Sequence, residues 1–397
     1  MPSMHKPPRI IIVTLLPPNS GVGVQTHVDG FLAWAAARGI RCTVASPYDH
    51  PRLMERVQGT LLARLRRIAP DYAGYQVRRL LARRLAHSLR RRSQAAGEDC
   101  IFYAQDTTSA CVAIHCRNRM GARHTPVALM AHFNTSEAHE LVINGLGREG
   151  GKLHRALVAA EEHACGGLDL LVAPSHWLLS RILARHPQLD ARLRCEVIPY
   201  SIPETIDTQK RSQPELPATD VLSIGSCDRR KNHQYLLRVL HCAKNRGLCY
   251  RMVIAGDGPE RTHLVQMAGQ LGIGDQLTMA GHVPGARRMM AAARVYAHSA
   301  IEDNLPISLL EALEAGRPIC AARVGGIPEI YRDGIEGFFW DLDNPEGGAE
   351  RLIEILENSS TYGAMSQAAQ KRYHACFTTA SGYQRLLECL SDLLESA

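Results

Sequence analysis

Short β-branched runs that alternate with amphipathic helical stretches constrain the fold of this chain more than any other feature. Strands that alternate with helices in this way build parallel sheets from βαβ units. The pattern therefore predicts an α/β protein. The predicted strands are Arg9–Thr14, Arg41–Ala45, Val127–Ala131, Leu170–Ala173, Cys195–Pro199, Asp220–Ile224, Tyr250–Ala255, Leu277–Ala280, Val295–Ala297 and Pro318–Ala322.

The alternation lapses once, in the polar, proline-bearing stretch IPETIDTQKRSQPELPAT. Linkers between domains have this composition, so we place one at residues 203–219. Residues 1–202 then form a first domain, and a second αβ series begins at residue 220. We expect the two sheet domains to face each other across a cleft, where small ligands usually bind.

Composition excludes several classes of protein. The chain has 397 residues, of which 45% are hydrophobic, so it can bury a core for each of two domains. No apolar run reaches the ~18 residues that span a bilayer, and no secretory signal precedes the first predicted strand, so we expect a soluble, cytoplasmic protein. The 12 cysteines are scattered without a CxxC pair, which argues against disulfides and structural zinc.

Positive charge is concentrated between Arg52 and Arg92, a segment that contains twelve arginines and only two acidic residues, Glu55 and Asp71. Leucine and arginine alternate here at helical spacing. The segment is open to three interpretations: a solvated face whose arginine stems cover apolar surface, a basic amphipathic helix pair on an anionic membrane surface, or recruitment of an anionic acceptor or nucleic acid. No aromatic platform accompanies the charge, so we expect no nucleic-acid partner.

The segment SAIEDNLPISLLEALE, residues 299–314, is the most informative about function. Asp303 precedes a predicted helix and Glu311 lies within it, so both carboxylates can accept hydrogen bonds from ligand hydroxyls. The backbone N–H groups at the helix start, those of Asn304 and Leu305, suit an anion. Hydroxyl groups at both ends and a negative charge between them describe a nucleotide sugar.

A basic turn follows the first strand of the second domain, VLSIG, and ends in Arg229, Arg230 and Lys231. Ligands of open α/β sheets bind beyond the carboxyl ends of such strands. Arg230 and Lys231 are therefore candidates to neutralise a diphosphate, with Lys231 acting as a point charge.

The first domain offers two further candidates. Gly21 and Gly23 lie in a glycine-rich loop after the first strand, where backbone N–H groups can meet a phosphate or a sugar. The spacing is neither that of a dinucleotide site nor that of a P-loop. His132 follows a predicted strand, and its imidazole can bond to a sugar hydroxyl or a phosphate. A metal site is also suggested by four neighbouring residues, His132, Glu137, His139 and Glu140. We set this interpretation aside because no second cluster has ligand spacing.

The motifs IGSCDRRKNH, VIAGDGPE and GHV, the Asp303–Glu311 segment, and VGGIPEIYRDGIEGFFW are similar in order and spacing to those of the family 4 retaining glycosyltransferases of the GT-B fold. The resemblance is specific between about Val221 and Trp340. It implies two Rossmann-like domains, with the donor bound mainly by the second domain, residues 220–375, and the acceptor mainly by the first. It also implies a final helix within residues 376–397, around Tyr383–Leu394, that crosses back to the first domain.

The resemblance also assigns roles. Glu311 stands where the family has the glutamate that holds the ribose, and Asp303 where the family has a glutamate that contacts the transferred sugar. Lys231 matches a lysine of the diphosphate site. Ser226 departs from the pattern, because it stands where such families often carry an arginine; Arg230 or Arg229 is the candidate substitute.

These observations predict a metal-independent, retaining glycosyltransferase with His132, Lys231 and Asp303 as catalytic residues. Its donor is a nucleoside-diphosphate sugar of unspecified base, its acceptor is a glycan, a glycolipid or a small molecule, and no other cofactor is expected. The rivals are a sugar-nucleotide epimerase of the same fold, a nucleotide-sugar-binding protein that has lost catalysis, and a membrane-associated scaffold.

Overall fold

The structure of the protein, a computed structural model, describes residues 8–17, 23–49, 69–96, 100–121, 125–189, 193–204 and 219–395. The chain divides into two compact units. The first unit comprises Met1–Pro199 together with Thr379–Ala397, and the second comprises Tyr200–Thr378. Of the expected linker, residues 205–218 lie outside the described part, and Thr219 is already the first residue of a strand.

The first unit is built on a parallel sheet of six strands in the order β2-β1-β3-β4-β5-β6. The three strands β3, β4 and β5 are buried along their whole length, as expected where helices cover both faces of a parallel sheet. The edge strand β6 is half-buried. The strands are β1 Arg9–Val13, β2 Cys42–Ala45, β3 Cys100–Ala104, β4 Val127–Met130, β5 Leu170–Ala173 and β6 Arg194–Val197.

Among the described residues, six helices connect these strands, and three of them begin at a side chain that caps the first turn. Asp106, Ser136 and Ser175 each accept a hydrogen bond from a backbone N–H three residues later, which satisfies a donor that the helix itself leaves unpaired. The helices are α1 Gly23–Ala36, α2 Pro70–Ala96, α3 Thr107–Met120, α4 Glu137–Ile143, α5 Lys152–Cys165 and α6 His176–Arg185.

The second unit has its own parallel sheet of six strands, in the order β12-β11-β10-β7-β8-β9. The chain leaves β7 toward β8 on one side and returns to β10 on the other. The gap between the carboxyl ends of β7 and β10 is thus the topological switch point, where sheets of this type bind ligands. The strands are β7 Thr219–Ile224, β8 Met252–Ala255, β9 Leu277–Gly281, β10 Ala293–His298, β11 Ile319–Ala322 and β12 Gly337–Trp340.

The helices of the second unit bury a large apolar core against this sheet, with Tyr235, Leu240 and Leu352 among its fully packed members. Two 3₁₀ turns, Arg229–Lys231 and Ala286–Ala292, follow β7 and β9. The helices are α7 His233–Asn245, α8 Arg261–Gln270, α9 Ile307–Glu314, α10 Ile327–Ile330, α11 Pro345–Glu357 and α12 Ser359–Cys376.

The last helix, α13 Thr379–Glu395, belongs to the first unit. Its Tyr383 packs edge-on against Phe31 of α1, with ring centroids 5.5 Å apart. Gly30 allows this approach, because a Cβ atom at that position would lie 2.4 Å from the Tyr383 hydroxyl. The absence of a side chain at residue 30 thus sets how closely α13 packs on α1.

Two strands differ from the sequence prediction. The strands β3 and β12 were not predicted, although both are short buried apolar runs. The described part of the arginine-rich segment is one helix of 27 residues, α2; the remainder of the predicted helix pair falls within residues 52–68, which lie outside the described part. Among the described residues, no helix is both long enough and apolar enough to cross a membrane.

Candidate functional site

Two loops meet at the switch point of the second sheet. The loop after β7 carries Arg230 and Lys231, and the loop after β10 carries Ser299 to Pro306. The backbone N–H of Ile301 donates to the carbonyl oxygen of Arg230 at 2.9 Å, and the Ser299 hydroxyl donates to the carbonyl oxygen of Lys231 at 3.0 Å. The structure therefore brings the two predicted segments, 72 residues apart at Lys231 and Asp303, into one cluster.

Asp303 is the centre of this cluster. Its Oδ2 atom accepts a hydrogen bond from Lys231 Nζ at 2.5 Å, lies 3.1 Å from His298 Nε2, and lies 3.8 Å from a guanidinium nitrogen of Arg230. Burial alone would raise the pKa of Asp303, but Lys231, then His298 and Arg230, hold that pKa well below its ordinary value. The carboxylate is thus ionised at neutral pH.

The backbone around Asp303 is held equally closely. Gly325 has a φ of +57°, and a Cβ atom there would lie 1.7 Å from the Asp303 carbonyl oxygen, so only glycine fits. The Asn304 N–H donates to Asp303 Oδ1 at 3.1 Å, and the side chain of Leu305 is buried. The Asn304 N–H, which we predicted to donate to a bound anion, thus donates to the Asp303 carboxylate in this structure.

The structure distinguishes the two arginines that could replace the arginine absent at Ser226. Arg229 is 91% exposed and reaches Glu260 only at 3.7 Å. Arg230 is 17% exposed and donates to the Glu302 carbonyl oxygen at 3.4 Å. Among the described residues, its buried Nε atom has no hydrogen-bond partner. Arg230 is therefore the better-placed cation for a ligand at the switch point.

Ser226 itself has a local structural role. Its hydroxyl donates to Asp228 at 2.6 Å, and Asp228 in turn accepts a hydrogen bond from the Lys231 N–H at 3.0 Å. This chain of hydrogen bonds shapes the 3₁₀ turn that carries Arg230 and Lys231. Ser226 thus helps to position the basic groups although it supplies no charge.

Glu311 lies on α9, half-buried. Burial raises its pKa to about 7; Arg287 opposes the rise and Glu314 adds to it. No side chain or backbone group of the described residues hydrogen-bonds its carboxylate. Burial raises the pKa of the Tyr296 hydroxyl, and the negative charges of Glu311 and Asp303 raise it further. Both carboxylates therefore lie close enough to Tyr296 to act on its hydroxyl electrostatically.

The glycine turns after β7 and β8 pack backbone against backbone. A Cβ atom on Gly256 would lie 1.7 Å from the Gly225 carbonyl oxygen, and one on Gly258 would lie 2.5 Å from that of Cys227. These glycines are structural, because a side chain at either position would overlap the neighbouring backbone. His282 follows β9 and is exposed.

In the first unit, His132 follows β4 and lies beside the end of β3. Its Nε2 atom is 2.9 Å from Gln105 Oε1, and its ring lies 5.4 Å from that of His27 on α1. Burial, and then His27, lower the pKa of His132 well below its ordinary value, so the imidazole is neutral. Gly23 is the exposed first residue of α1, and Gly21 lies outside the described residues.

The carboxylates that raised a metal-site reading have protein partners instead. Glu137 accepts hydrogen bonds from the N–H and hydroxyl of Thr107, at 2.7 and 2.8 Å, and is paired with Arg78 of α2. Glu140 accepts a hydrogen bond from the Asn134 N–H at 2.8 Å. Across the described ranges, no group of three or more His, Cys, Asp or Glu side chains could hold a metal ion.

The arginine-rich helix α2 uses its apolar side within the first unit. Leu85 and Leu89 are fully buried in the core of that unit. Arg78 and Arg92 are paired with carboxylates, whereas Arg79, Arg83 and Arg91 are exposed. Leu85 and Leu89 on the apolar side of α2 are therefore covered by its own domain, and basic side chains of the helix are exposed.

Sequence reasoning missed His298, Arg287 and Gln105. His298 is the last residue of β10, directly before the acidic turn, and that position was a usable signal. Gln105 directly follows the unpredicted strand β3, so its position at a strand end was not apparent. Arg287 belongs to a 3₁₀ turn without any sequence motif.

Comparison with known proteins gives the class of this fold. The crystal structure of HepE from Anabaena, in complex with UDP and glucose, matches with a TM-score of 0.68 at 17% identity, over 97% of this chain and 99% of that chain. The two six-stranded parallel sheets with flanking helices match those of GT-B glycosyltransferase structures, which confirms the predicted fold class.

Sequence comparison gives a family match and several relatives. The family described as Glycosyl transferases group 1 matches residues 205–372. N-acetyl-alpha-D-glucosaminyl L-malate synthase of Bacillus anthracis is 26% identical over 127 residues, 32% of this chain and 33% of that protein. D-inositol 3-phosphate glycosyltransferase of Mycolicibacterium gilvum is 32% identical over 150 residues, 34% of this chain and 33% of that protein. The matches thus span about a third of the length of these two relatives. The family match supports a group 1 glycosyltransferase domain in the second unit.

Proposed function

We propose that the protein is a retaining glycosyltransferase that moves a sugar from a nucleoside diphosphate to a hydroxyl group of an acceptor. The observation that carries the proposal is the cluster of Lys231, Arg230 and Asp303 at the switch point, with Glu311 on the adjoining helix. The group 1 family match over residues 205–372 supports the same reaction class.

In this mechanism the second unit binds the donor. Glu311, which has no hydrogen-bond partner in the described structure, accepts hydrogen bonds from the ribose hydroxyls. Lys231 and Arg230 bind the diphosphate and stabilise the charge that it gains as the sugar–oxygen bond breaks, a preorganised electrostatic role. Asp303 orients Lys231 and accepts a hydroxyl of the transferred sugar. His132 of the first unit binds a hydroxyl-bearing ligand.

The reaction proceeds without a divalent metal in this proposal. Lys231 and Arg230 supply two positive charges, and Asp303 neutralises one of them, so one net charge is left for the diphosphate. Activity should therefore persist in EDTA. Loss of activity in EDTA that Mg²⁺ or Mn²⁺ restores would contradict this part of the proposal.

Donor binding is the direct test. We expect one nucleotide family among UDP, GDP, ADP and their sugars to raise the melting temperature; UDP is the first to try because HepE was solved with UDP. A ligand at 100 times its Kd stabilises the folded state by about 2.7 kcal/mol. The Glu311→Ala variant should lose most of this shift. Absence of any shift across the panel would refute donor binding.

Whether turnover requires an acceptor distinguishes a glycosyltransferase from the alternative functions. The names of the two relatives contain different small molecules, L-malate and D-inositol 3-phosphate, so no single acceptor carries over. Release of nucleoside diphosphate that depends on added glycan, glycolipid or small-molecule acceptor supports the transferase. Conversion of the donor sugar without any acceptor would indicate an epimerase, and binding without turnover would indicate a catalytically degenerate protein.

We further propose that the exposed basic side of α2 lets this cytoplasmic protein contact an anionic membrane surface that carries its acceptor. Arg79, Arg83 and Arg91 are exposed on this helix. Cosedimentation with vesicles of phosphatidylcholine and phosphatidylglycerol should fall when these three arginines are replaced with glutamine. Equal binding to vesicles without phosphatidylglycerol would contradict an electrostatic contact.

A further inference from the structure

His298 is the last residue of β10 and lies buried beside Asp303 in the second unit, with 2% of its surface exposed. Its Nε2 atom is 3.1 Å from Asp303 Oδ2, and Lys231 Nζ is 2.5 Å from the same oxygen. An ionised carboxylate can only accept hydrogen bonds, so the imidazole must carry its proton on Nε2. Two donors from different elements, β10 and the turn after β7, therefore share one carboxylate oxygen.

The two donors differ in how firmly they are held. The backbone of His298 is paired in register with Ala321 of β11, and its ring stacks on that of Tyr296, with centroids 6.5 Å apart and an angle of 23° between the ring planes. The ammonium of Lys231 instead lies at the end of a flexible four-carbon stem. Lys231 can therefore turn to another acceptor, whereas the strand and the stacked ring hold His298 in place.

The two donors also differ in charge. Burial, and then the neighbouring Lys231, lower the pKa of His298 although Asp303 opposes the effect, so the imidazole is neutral at neutral pH. A diphosphate attracts an ammonium group more strongly than a neutral imidazole. An anion that enters this cluster therefore competes for Lys231 and leaves the hydrogen bond from His298 to Asp303 intact.

The other contacts of the Asp303 carboxylate hold it less firmly. Its Oδ1 atom accepts a hydrogen bond from the N–H of the adjacent Asn304 at 3.1 Å, and a guanidinium nitrogen of Arg230 is 3.8 Å from Oδ2, which is beyond hydrogen-bond length. Once Lys231 bonds to a diphosphate, His298 is the side chain, among the described residues, that still donates to Asp303.

We infer that His298 is a positioning residue that holds the Asp303 carboxylate in place while Lys231 moves from Asp303 to the diphosphate of a donor. Asp303 then keeps the orientation in which it accepts a hydroxyl of the sugar. This exchange of partners by Lys231 rests on the proposed function. The hydrogen bond from His298 to Asp303, and its independence of Lys231, are properties of the ligand-free protein.

NMR of the protein labelled with ¹⁵N-histidine tests this hydrogen bond. The signals of His298 are those lost in His298→Leu. We expect a proton on Nε2 at neutral pH, with a chemical shift that decreases in Asp303→Asn. In Lys231→Met the Nε2 proton should remain and its chemical shift should increase, because Asp303 no longer shares its charge with an ammonium group. A wild-type proton on Nδ1 alone, or a chemical shift in Lys231→Met that falls to the value in Asp303→Asn, would overturn the inference.

Addition of UDP, or of GDP or ADP if the thermal panel selects that base, tests the exchange. A nucleotide that draws Lys231 away should move the Nε2 proton signal in the same direction as Lys231→Met does. An unchanged signal with nucleotide bound would show that Lys231 stays on Asp303, and a change toward the Asp303→Asn value would show that Asp303 leaves His298. Either result would overturn the inference.

This inference and the proposed function can fail separately. If no nucleotide of the panel binds, the proposed function fails and the exchange by Lys231 fails with it. The signal of ligand-free Lys231→Met then still decides whether His298 holds Asp303. If a nucleotide binds and that signal is lost, the proposed function stands and the role of His298 is wrong.

Affinity supplies a readout that a merely structural role would not change. The amide of glutamine can place an N–H near the position of Nε2, whereas leucine has no donor. His298→Leu should lower the ratio of UDP-glucose affinity to UDP affinity about tenfold, with UDP affinity itself within about threefold of wild type. His298→Gln should restore most of that ratio.

The control is His241→Leu, which removes a histidine of α7 that contacts the Leu271 carbonyl oxygen at 2.9 Å, away from Asp303. It should change neither the ratio of affinities nor the His298 signals. A folded His298→Leu protein with the wild-type ratio, or a His298→Gln protein with a ratio as low as that of His298→Leu, would contradict the positioning role.

Discussion

Replacing Glu311 with glutamine should stabilise the ligand-free protein above pH 7 and weaken nucleotide-sugar binding at the same pH. Both effects have one cause. The ionised carboxylate of Glu311 is half-buried on α9 without a hydrogen-bond partner among the described residues, so the folded protein disfavours its charge. A ligand hydroxyl that donates to this carboxylate removes part of that penalty.

The size of the stability effect follows from the pKa. Burial raises the pKa of Glu311 from 4.5 to about 7, and one pKa unit corresponds to about 1.4 kcal/mol, so the penalty on the ionised form is about 3 kcal/mol at most. The folded pKa is raised, so the favourable contribution of the protonated form is complete below pH 4.5 and is lost as the pH rises through 7. Glutamine cannot ionise and retains it. Allowing for partial exposure, we expect a gain of about 1–3 kcal/mol at pH 8.

Donor affinity should depend on pH in the opposite direction: it should rise as the pH rises, whereas the stability of the ligand-free protein falls. If donor binding requires the ionised carboxylate, about one molecule in ten of the ligand-free protein is competent at pH 6, and about nine in ten at pH 8. The apparent affinity of the wild-type protein for a nucleotide sugar should then be about tenfold lower at pH 6 than at pH 8. Glu311→Gln should bind weakly and without this dependence.

The assay combines thermal denaturation of the ligand-free protein with titration calorimetry at pH 6, 7 and 8. The ligand should be a nucleotide sugar and not a nucleoside diphosphate, because its diphosphate is esterified at both ends and has no proton to lose in this range. Glu350→Gln, an exposed helical glutamate paired with Arg246, is the matched control. A Glu311→Gln protein that is less stable than wild type at pH 8, or wild-type affinity that does not change with pH, would refute the reasoning.

Three further substitutions test other contacts. Lys231→Met should lower turnover about 10²–10³-fold, as for loss of a preorganised charge, measured by steady-state kinetics; a change in acceptor KM alone would contradict its diphosphate role. Gly30→Ala should cost about 1–3 kcal/mol in thermal denaturation because its Cβ meets the Tyr383 hydroxyl, and Tyr383→Phe should restore most of that loss; a double variant no more stable than Gly30→Ala would argue against this contact. Gly325→Ala should both destabilise the protein and abolish turnover, because its Cβ would overlap the Asp303 carbonyl oxygen; wild-type activity would show that Asp303 is less constrained than described.

The sequence predicted the fold class because the period of the pattern is set by the backbone. Every predicted strand lies in one of the two sheets, within two residues at each end. The strands β3 and β12 were missed although, like the predicted strands β4 and β5, each is a short apolar run. Periodicity alone does not distinguish such a run from a buried helix segment, so it is an unreliable strand signal.

The candidate site was predicted in part. Lys231, Arg230 and Asp303 come together as expected, because both loops follow strands whose carboxyl ends lie at the same edge of the sheet. The choice between Arg229 and Arg230 required the structure, since adjacent residues of a turn point in different directions. The catalytic and binding roles themselves stay predictions.

The pKa differences within the cluster could not have been read from the chain. Asp303 and Glu311 look equivalent in sequence, as two carboxylates flanking one helix start. Their environments differ because Lys231, Arg230 and His298 approach Asp303 from other elements and lower its pKa, whereas at Glu311 burial outweighs the opposing effect of Arg287. Contacts of this kind depend on tertiary packing and not on local spacing.

The contrast between the two carboxylates also bears on how a donor would be bound. Asp303 already makes hydrogen bonds with Lys231 and His298. A diphosphate must therefore compete with Asp303 for Lys231, and a sugar hydroxyl must compete with Lys231 for Asp303. Binding there exchanges one charged hydrogen bond for another and contributes orientation more than net affinity. At Glu311 a ligand hydroxyl replaces no protein contact and relieves an unfavourable charge, so it contributes affinity directly. We therefore infer that Glu311 determines how tightly the nucleotide is held, whereas the Lys231–Asp303 pair determines how the reacting bond is oriented.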